Sequence, residues 1–82
     1  MFEILLSLSA EKELKKLPAE IQKRIVASLE RIRIRPENFI KKLVGLPYYK
    51  LRIGDYRIIL DIDKGKLVIL VITMGHRKKI YK

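Results

Sequence analysis

An α+β domain is predicted, with a helical hairpin packed on one face of a mostly antiparallel four-stranded sheet. Three observations predict it. The first half of the chain holds two helix signals, one with an apolar stripe of helical period. The second half holds three apolar segments separated by turn residues. The whole chain has 82 residues, room for one core only. The expected order is β-α-α-β-β-β in a single domain over residues 1–82.

Phe2–Leu8 is short and apolar and ends against a serine, so it reads as the first strand. Ser9 is the expected N-cap of a helix over Ala10–Leu17. Glu11 and Glu13 lie early in that helix and Lys15 and Lys16 late, which suits the helix dipole. Pro18 ends it and opens the next, because proline fits the first turn of a helix. The second helix is predicted over Ala19–Arg33. Its Ile21, Ile25, Val26, Leu29 and Ile32 form one stripe, with Lys23, Arg24, Glu30 and Arg31 opposite.

Pro36 stops this pattern. Residues Pro36–Pro47 are expected as a connection, with a short turn around Phe39–Leu43. Strands follow at Tyr48–Ile53, Tyr56–Ile62 and Lys66–Met74. Gly54–Asp55 is a two-residue hairpin signal, and Asp63–Lys64–Gly65 is a longer turn. The run Leu67–Ile72 has no polar alternation, so the last strand is expected to be covered on both faces.

With Gly54 and Asp55 at the centre of the turn, Ile53 pairs with Tyr56, Arg52 with Arg57, Leu51 with Ile58 and Lys50 with Ile59. Side chains alternate along a strand. One face therefore carries Tyr49, Leu51, Ile53, Tyr56, Ile58 and Leu60 and belongs against the helices. The other carries Tyr48, Lys50, Arg52, Arg57, Ile59 and Asp61. Two arginines thus face each other, which costs ~0.5 kcal/mol when solvated. Two readings are open. The arginines splay into water and Asp61 neutralises one of them, or the cations converge to hold a phosphate. Arginine suits the second, because its planar fork matches two phosphate oxygens.

Charge points to an anionic partner. The formal net charge is +10. Residues 1–37 hold 8 basic and 6 acidic residues, and residues 38–82 hold 11 and 3, with no acid after Asp63. The net thus rises from +2 to +8 between the two parts. Such a field attracts RNA, DNA or an acidic protein surface. The terminal stretch GHRKKIYK adds Tyr81 among cations, and a ring beside Arg or Lys is what single-stranded RNA binding uses. Arg52, His76, Lys78 and Lys79 are the expected RNA-binding positions.

Several classes are disfavoured. There is no Cys, which removes disulfides, thiolate nucleophiles and the usual zinc sites. One His without a carboxylate cluster argues against a catalytic metal, and no cofactor is expected. Met1–Phe2–Glu3 has no basic start before an apolar run, so no secretory signal is expected. The longest apolar run, Leu67–Ile72, falls far short of the ~20 residues that cross a bilayer. A cytoplasmic location with no membrane partner is expected.

The pieces YKLRIGDYRIILDI and LVILVITMGHRKKIYK resemble the RelE/ParE superfamily of toxin–antitoxin toxins, and more closely its RelE-type branch, the mRNA interferases. The resemblance covers essentially the whole chain. It implies a β-α-α-β-β-β fold with a curved sheet, and metal-independent cleavage of mRNA in the ribosomal A site. It also implies a cognate antitoxin that wraps the toxin with a helix and an added strand. The implied chemistry is attack of a 2′-hydroxyl on the adjacent phosphate, leaving a 2′,3′-cyclic phosphate and a 5′-hydroxyl. The implied catalytic residues are Lys50, Arg57, Arg77 and Tyr81. Arg57 stabilises the transition state, Lys50 and Arg52 hold phosphate, Arg77 serves the leaving oxygen and Tyr81 stacks on or activates the nucleotide. His76 has either an acid–base or a structural role, since alternation points it away from Arg77. Two other classes share the features above: a ParE-like inhibitor that binds DNA gyrase without catalysis, and a basic RNA- or ribosome-binding module.

Overall fold

A helix starts where a side chain can satisfy its first free amides, and Ser7 does this rather than Ser9. In the computed structural model, which describes residues 1–76, Ser7 is extended (φ −66°, ψ 164°) and its Oγ accepts from the Ala10 amide at 3.0 Å. The same Oγ donates to the Ile72 carbonyl at 2.6 Å. The cap is therefore also a tertiary tie, which the local sequence does not reveal. The elements are β1 (Glu3–Leu6), α1 (Leu8–Lys15), α2 (Ala19–Ile32), a 3-10 turn at Pro36–Asn38, β2 (Ile40–Lys42), β3 (Tyr49–Ile53), β4 (Tyr56–Asp63) and β5 (Val68–His76).

Helices α1 and α2 form the expected hairpin. Gln22 closes it by donating Nε2 to the Leu17 carbonyl at 2.8 Å. α2 buries Ile25, Leu29 and Ile32, an i, i+4, i+7 set on one face. Val26, which the stripe included, is 48% exposed, so the buried seam is narrower than predicted.

The sheet has five strands, not four, in the order β1-β5-β4-β3-β2. β1 runs parallel to β5 and every other neighbouring pair is antiparallel. The additional strand is β2, which lies in the segment expected as a connection. Three residues carry no periodicity of their own. The pairing of Ile40, Lys41 and Lys42 with Leu51, Lys50 and Tyr49 defines the strand. The Leu43 amide bonded to the Tyr48 carbonyl at 2.9 Å closes its loop.

The helices cover one face of this sheet. Ala10, Ile25, Leu29 and Ile32 pack with Leu51, Ile53, Ile58, Leu60, Ile69, Val71 and Met74 into one buried cluster. β5 has neighbours on both sides, but the helices cover only one of its faces, and among the described residues its second face is partly exposed, contrary to expectation. Leu70 there is 37% exposed and its β1 neighbour Leu5 is 44% exposed. The uninterrupted apolar run has another cause. Ile59 pairs with Thr73 while Leu60 pairs with Val71, so Ile72 is an extra, bulged residue. The bulge resets the alternation, and Ile69, Val71 and Met74 all reach the core.

β1 ends at Leu6, opposite Val71, and the upper half of β5 would be left with free amides on that edge. Glu13 of α1 supplies the missing acceptor. Its Oε1 takes the Met74 amide at 3.0 Å, and its carboxylate takes the Thr73 hydroxyl at 2.8 and 3.0 Å. A helix side chain thus substitutes for a strand at this edge and fixes the last part of β5.

Candidate nucleic-acid interface

The β3–β4 hairpin builds the centre of the site. Gly54 has φ +58°, while Asp55 keeps a negative φ, the pattern of a type II′ turn with glycine first. That turn matches the right-handed twist of the strands and fixes the register. The observed partners are Ile53 with Tyr56, Arg52 with Arg57, Leu51 with Ile58 and Lys50 with Ile59, as the two-residue turn predicts.

Two cross-strand rows follow on the face away from the helices. The first is Arg52–Arg57–Gly75, running across β3, β4 and β5. The second is Lys41–Lys50–Ile59, running across β2, β3 and β4. Opposite residues in such rows have Cβ atoms about 5 Å apart, so four cations occupy a patch two strand rows deep. Arg57 is buried at 7% exposure, Lys50 is half-buried, and Arg52 and Lys41 are exposed. Arg52 leans toward the turn and donates Nε to the Gly54 carbonyl at 3.3 Å. Gly75 places no side chain opposite Arg57.

Asp61, the nearer of the two β4 acids on this face (Asp63 is the other), lies four residues along β4 from Arg57. At about 3.3 Å of rise per residue that is about 13 Å, beyond the ~8 Å screening length at physiological salt. Asp61 does not neutralise the paired arginines.

His76 stands elsewhere. It ends β5 opposite Tyr56, and alternation puts both rings on the helix side. The two rings meet edge-to-face at a centroid distance of 5.7 Å and an interplanar angle of 80°. They line a cleft with Glu13 of α1 and with Lys16 and Leu17, which follow it. The structure thus brings Lys50, Arg52 and Arg57 together and sets His76 on the other face. Arg77, Lys78, Lys79 and Tyr81 lie outside the described residues.

Lys41 was missed by the sequence reading. Ile40 turns to the core and Lys41 does not. Three residues were too few for that alternation to stand out.

A family model described as the ParE toxin of type II toxin–antitoxin systems, parDE, matches residues 4–81. The chain belongs to the RelE/ParE toxin superfamily. It is a toxin of a type II toxin–antitoxin system. Among curated proteins none matches the sequence. Among solved structures, the toxin is similar to a chain of the RelB–RelE antitoxin–toxin complex from Methanococcus jannaschii. The two are 32% identical, 94% of each is covered, and the TM-score is 0.73. It is also similar to a chain of the intact RelBE toxin–antitoxin complex from E. coli, at 26% identity, 93% and 96% coverage and a TM-score of 0.82. A chain of the RelBE2 complex from Mycobacterium tuberculosis shares the fold at 23% identity, 93% and 98% coverage and a TM-score of 0.85. No helix among the toxin's described residues is long and apolar enough to cross a membrane.

Proposed function

We propose that this toxin is a metal-independent endoribonuclease that cleaves mRNA in the ribosomal A site and so stops translation. One observation carries the reading. The hairpin register sets Arg52 against Arg57, with Lys50 and Lys41 in the next row, on a sheet face that the helices leave open. A fold selected for stability alone gains nothing from that arrangement.

In the proposed step, the 2′-oxygen bonds to the adjacent phosphorus and the bond from phosphorus to the 5′-oxygen breaks. The 2′-hydroxyl proton leaves to a base, and a proton is delivered to the departing 5′-oxygen. The products are a 2′,3′-cyclic phosphate and a 5′-hydroxyl. Arg57 sits in a largely dry position, where a guanidinium aimed at developing negative charge acts most strongly. Arg52 and Lys50 hold the phosphodiester, and Lys41 extends that hold across the sheet. Arg77 protonates or stabilises the leaving oxygen, and Tyr81 stacks on the nucleotide. Holding the RNA on the ribosome contributes the remaining positioning, which explains a site without an obvious carboxylate base. The protein acts in the cytoplasm.

The partner is a cognate antitoxin. The similar solved complexes pair RelE with RelB. In this chain the exposed Leu5 and Leu70 form an apolar pair in the row of Asp61, on the β1 side of the sheet, and β1 presents an outer edge. An antitoxin with one added strand and an apolar helix, acidic where it crosses the arginines, fits that surface.

The description of the matching family as a ParE toxin favours a second reading, the ParE-like inhibitor of the sequence analysis, which binds DNA gyrase without catalysis. Inducing the protein in cells separates the two. Mapping mRNA 5′ ends should show new ends at A-site codons, absent with Arg57→Ala. Gyrase-linked linear DNA with intact mRNA would replace the endonuclease by the gyrase inhibitor.

A further inference from the structure

We propose that the cleft between α2 and the free end of β3 is a second RNA subsite. It takes one nucleotide beyond the sheet face, with the phosphodiester on Arg31 and Arg52 and the base stacked on Phe39. The proposal rests on the reading of this toxin as an RNA-binding protein, and its test is built to fail separately.

The geometry begins with the short reach of β2. It pairs with β3 only from Tyr49 to Leu51, so Arg52 and Ile53 lie past its end. α2 passes there. Its Arg24, Ser28 and Arg31 are spaced i, i+4 and i+7 and share one face of the helix. Arg24 reaches the hairpin turn: a Cβ built on Gly54 would stand 3.6 Å from its Nη2. Ser28, Arg31, Phe39, Leu51 and Arg52 line a cleft of about 150 Å³. Arg52 therefore has two settings at once. It belongs to the row with Arg57 on the open face, and it forms one wall of this cleft. A strand of RNA gripped at Arg57 and Arg52 meets Arg31 and Phe39 next if it continues past the sheet edge.

Composition decides the occupant. Two guanidiniums and a hydroxyl suit phosphate oxygens. Phe39 is 45% exposed, and a ring held beside arginines is a stacking platform for a base. An extended acidic segment would satisfy the arginines but offers no flat partner for the ring.

The test compares a dinucleotide with a longer single-stranded RNA, both 2′-O-methylated so that scission is blocked, by fluorescence anisotropy across a salt series. Wild type should bind the longer RNA more tightly. Phe39→Leu and Arg31→Gln should each weaken the longer RNA by roughly tenfold and leave the dinucleotide unchanged. Arg31→Gln should also reduce the salt slope of the longer RNA by about 0.7. Unchanged melting temperatures establish that both variants fold. Equal binding of both RNAs by wild type and variants overturns the subsite while leaving an RNA-binding toxin. Loss of affinity for an acidic peptide with RNA binding intact assigns the cleft to protein instead and overturns the proposal. Failure of wild type to bind either RNA overturns the RNA reading of the whole protein, and this subsite with it.

Discussion

The two faces of the sheet obey different rules, although the same five strands build both. On the helix-covered face, every β3 and β4 position is apolar, and Leu51, Ile53, Ile58 and Leu60 are buried against α1 and α2. On the open face, β3 and β4 carry Lys50, Arg52 and Arg57, and β2 adds Lys41. Packing explains the first set in full. It does not explain the second, because like charges opposed across a ladder weaken it. The covered face holds the fold, and the open face is where the proposed RNA contacts lie.

Truncation of the covered face should therefore give the largest change in stability and leave the chemistry of the folded fraction intact. Ile58 is fully buried among both helices and neighbouring strands. Ile58→Ala should cost about 2–5 kcal/mol in urea unfolding. Cleavage per folded molecule should stay near wild type. A stable Ile58→Ala protein would mean that the helix face is loosely packed.

The opposite signature is expected on the other face. Arg57→Ala should lower mRNA cleavage by roughly a hundredfold or more, if its guanidinium stabilises the transition state. The companion Arg57→Lys keeps charge but loses the planar fork, and should recover only part of that activity. Measured on purified ribosome complexes, unchanged cleavage in Arg57→Ala would remove this residue from the mechanism.

Legibility divides along the same line. The β3–β4 register and its two faces could be read in full, because a two-residue turn and strict alternation fix every partner. α2 was legible for the same kind of reason, as its periodicity is local. What the sequence concealed depends on distant partners. Ser7 and Ser9 are equivalent as local N-cap candidates, and the bond from Ser7 to Ile72 distinguishes them only in the fold. β2 exists through its pairing with β3, so Lys41 could not be placed beside Lys50 beforehand. The Ile72 bulge disguised a one-sided strand as a two-sided one. Of the site, three cations were legible from alternation, whereas the Arg31–Phe39–Arg52 cleft joins residues from three separate segments and leaves no pattern along the chain.

Glu13 tests how the covered face supports the open one. Its carboxylate stands in for a missing strand at Thr73 and Met74, just before the chain reaches Gly75, opposite Arg57. Glu13→Ala leaves a strand amide and a hydroxyl without this acceptor and should cost about 1–3 kcal/mol. Amide exchange should rise at Met74 before it rises at Ile69. Uniform exchange would show that this edge opens only with global unfolding. On the open face itself, Lys41→Ala should change stability little. It should reduce the salt slope of RNA binding by about 0.7, the contribution of one phosphate contact on a single strand. An unchanged slope would place the RNA path away from β2.

The smallest effect is the most diagnostic, because its sign separates the faces. Arg52→Thr removes the charge opposed to Arg57 and places a good strand former at an exposed position. The covered face offers no substitution of this kind, since any change there opens a cavity or overfills the core. Arg52→Thr should therefore raise stability by ~0.5 kcal/mol, or roughly 2–4 °C in Tm for a domain of this size, while RNA binding weakens. The Nε bond to the Gly54 carbonyl works against that gain, but at 3.3 Å on an exposed side chain it is a weak one. A loss of stability in Arg52→Thr would mean that the arginine pair is held by the fold, and the case for a phosphate between the two guanidiniums would lose its physical basis.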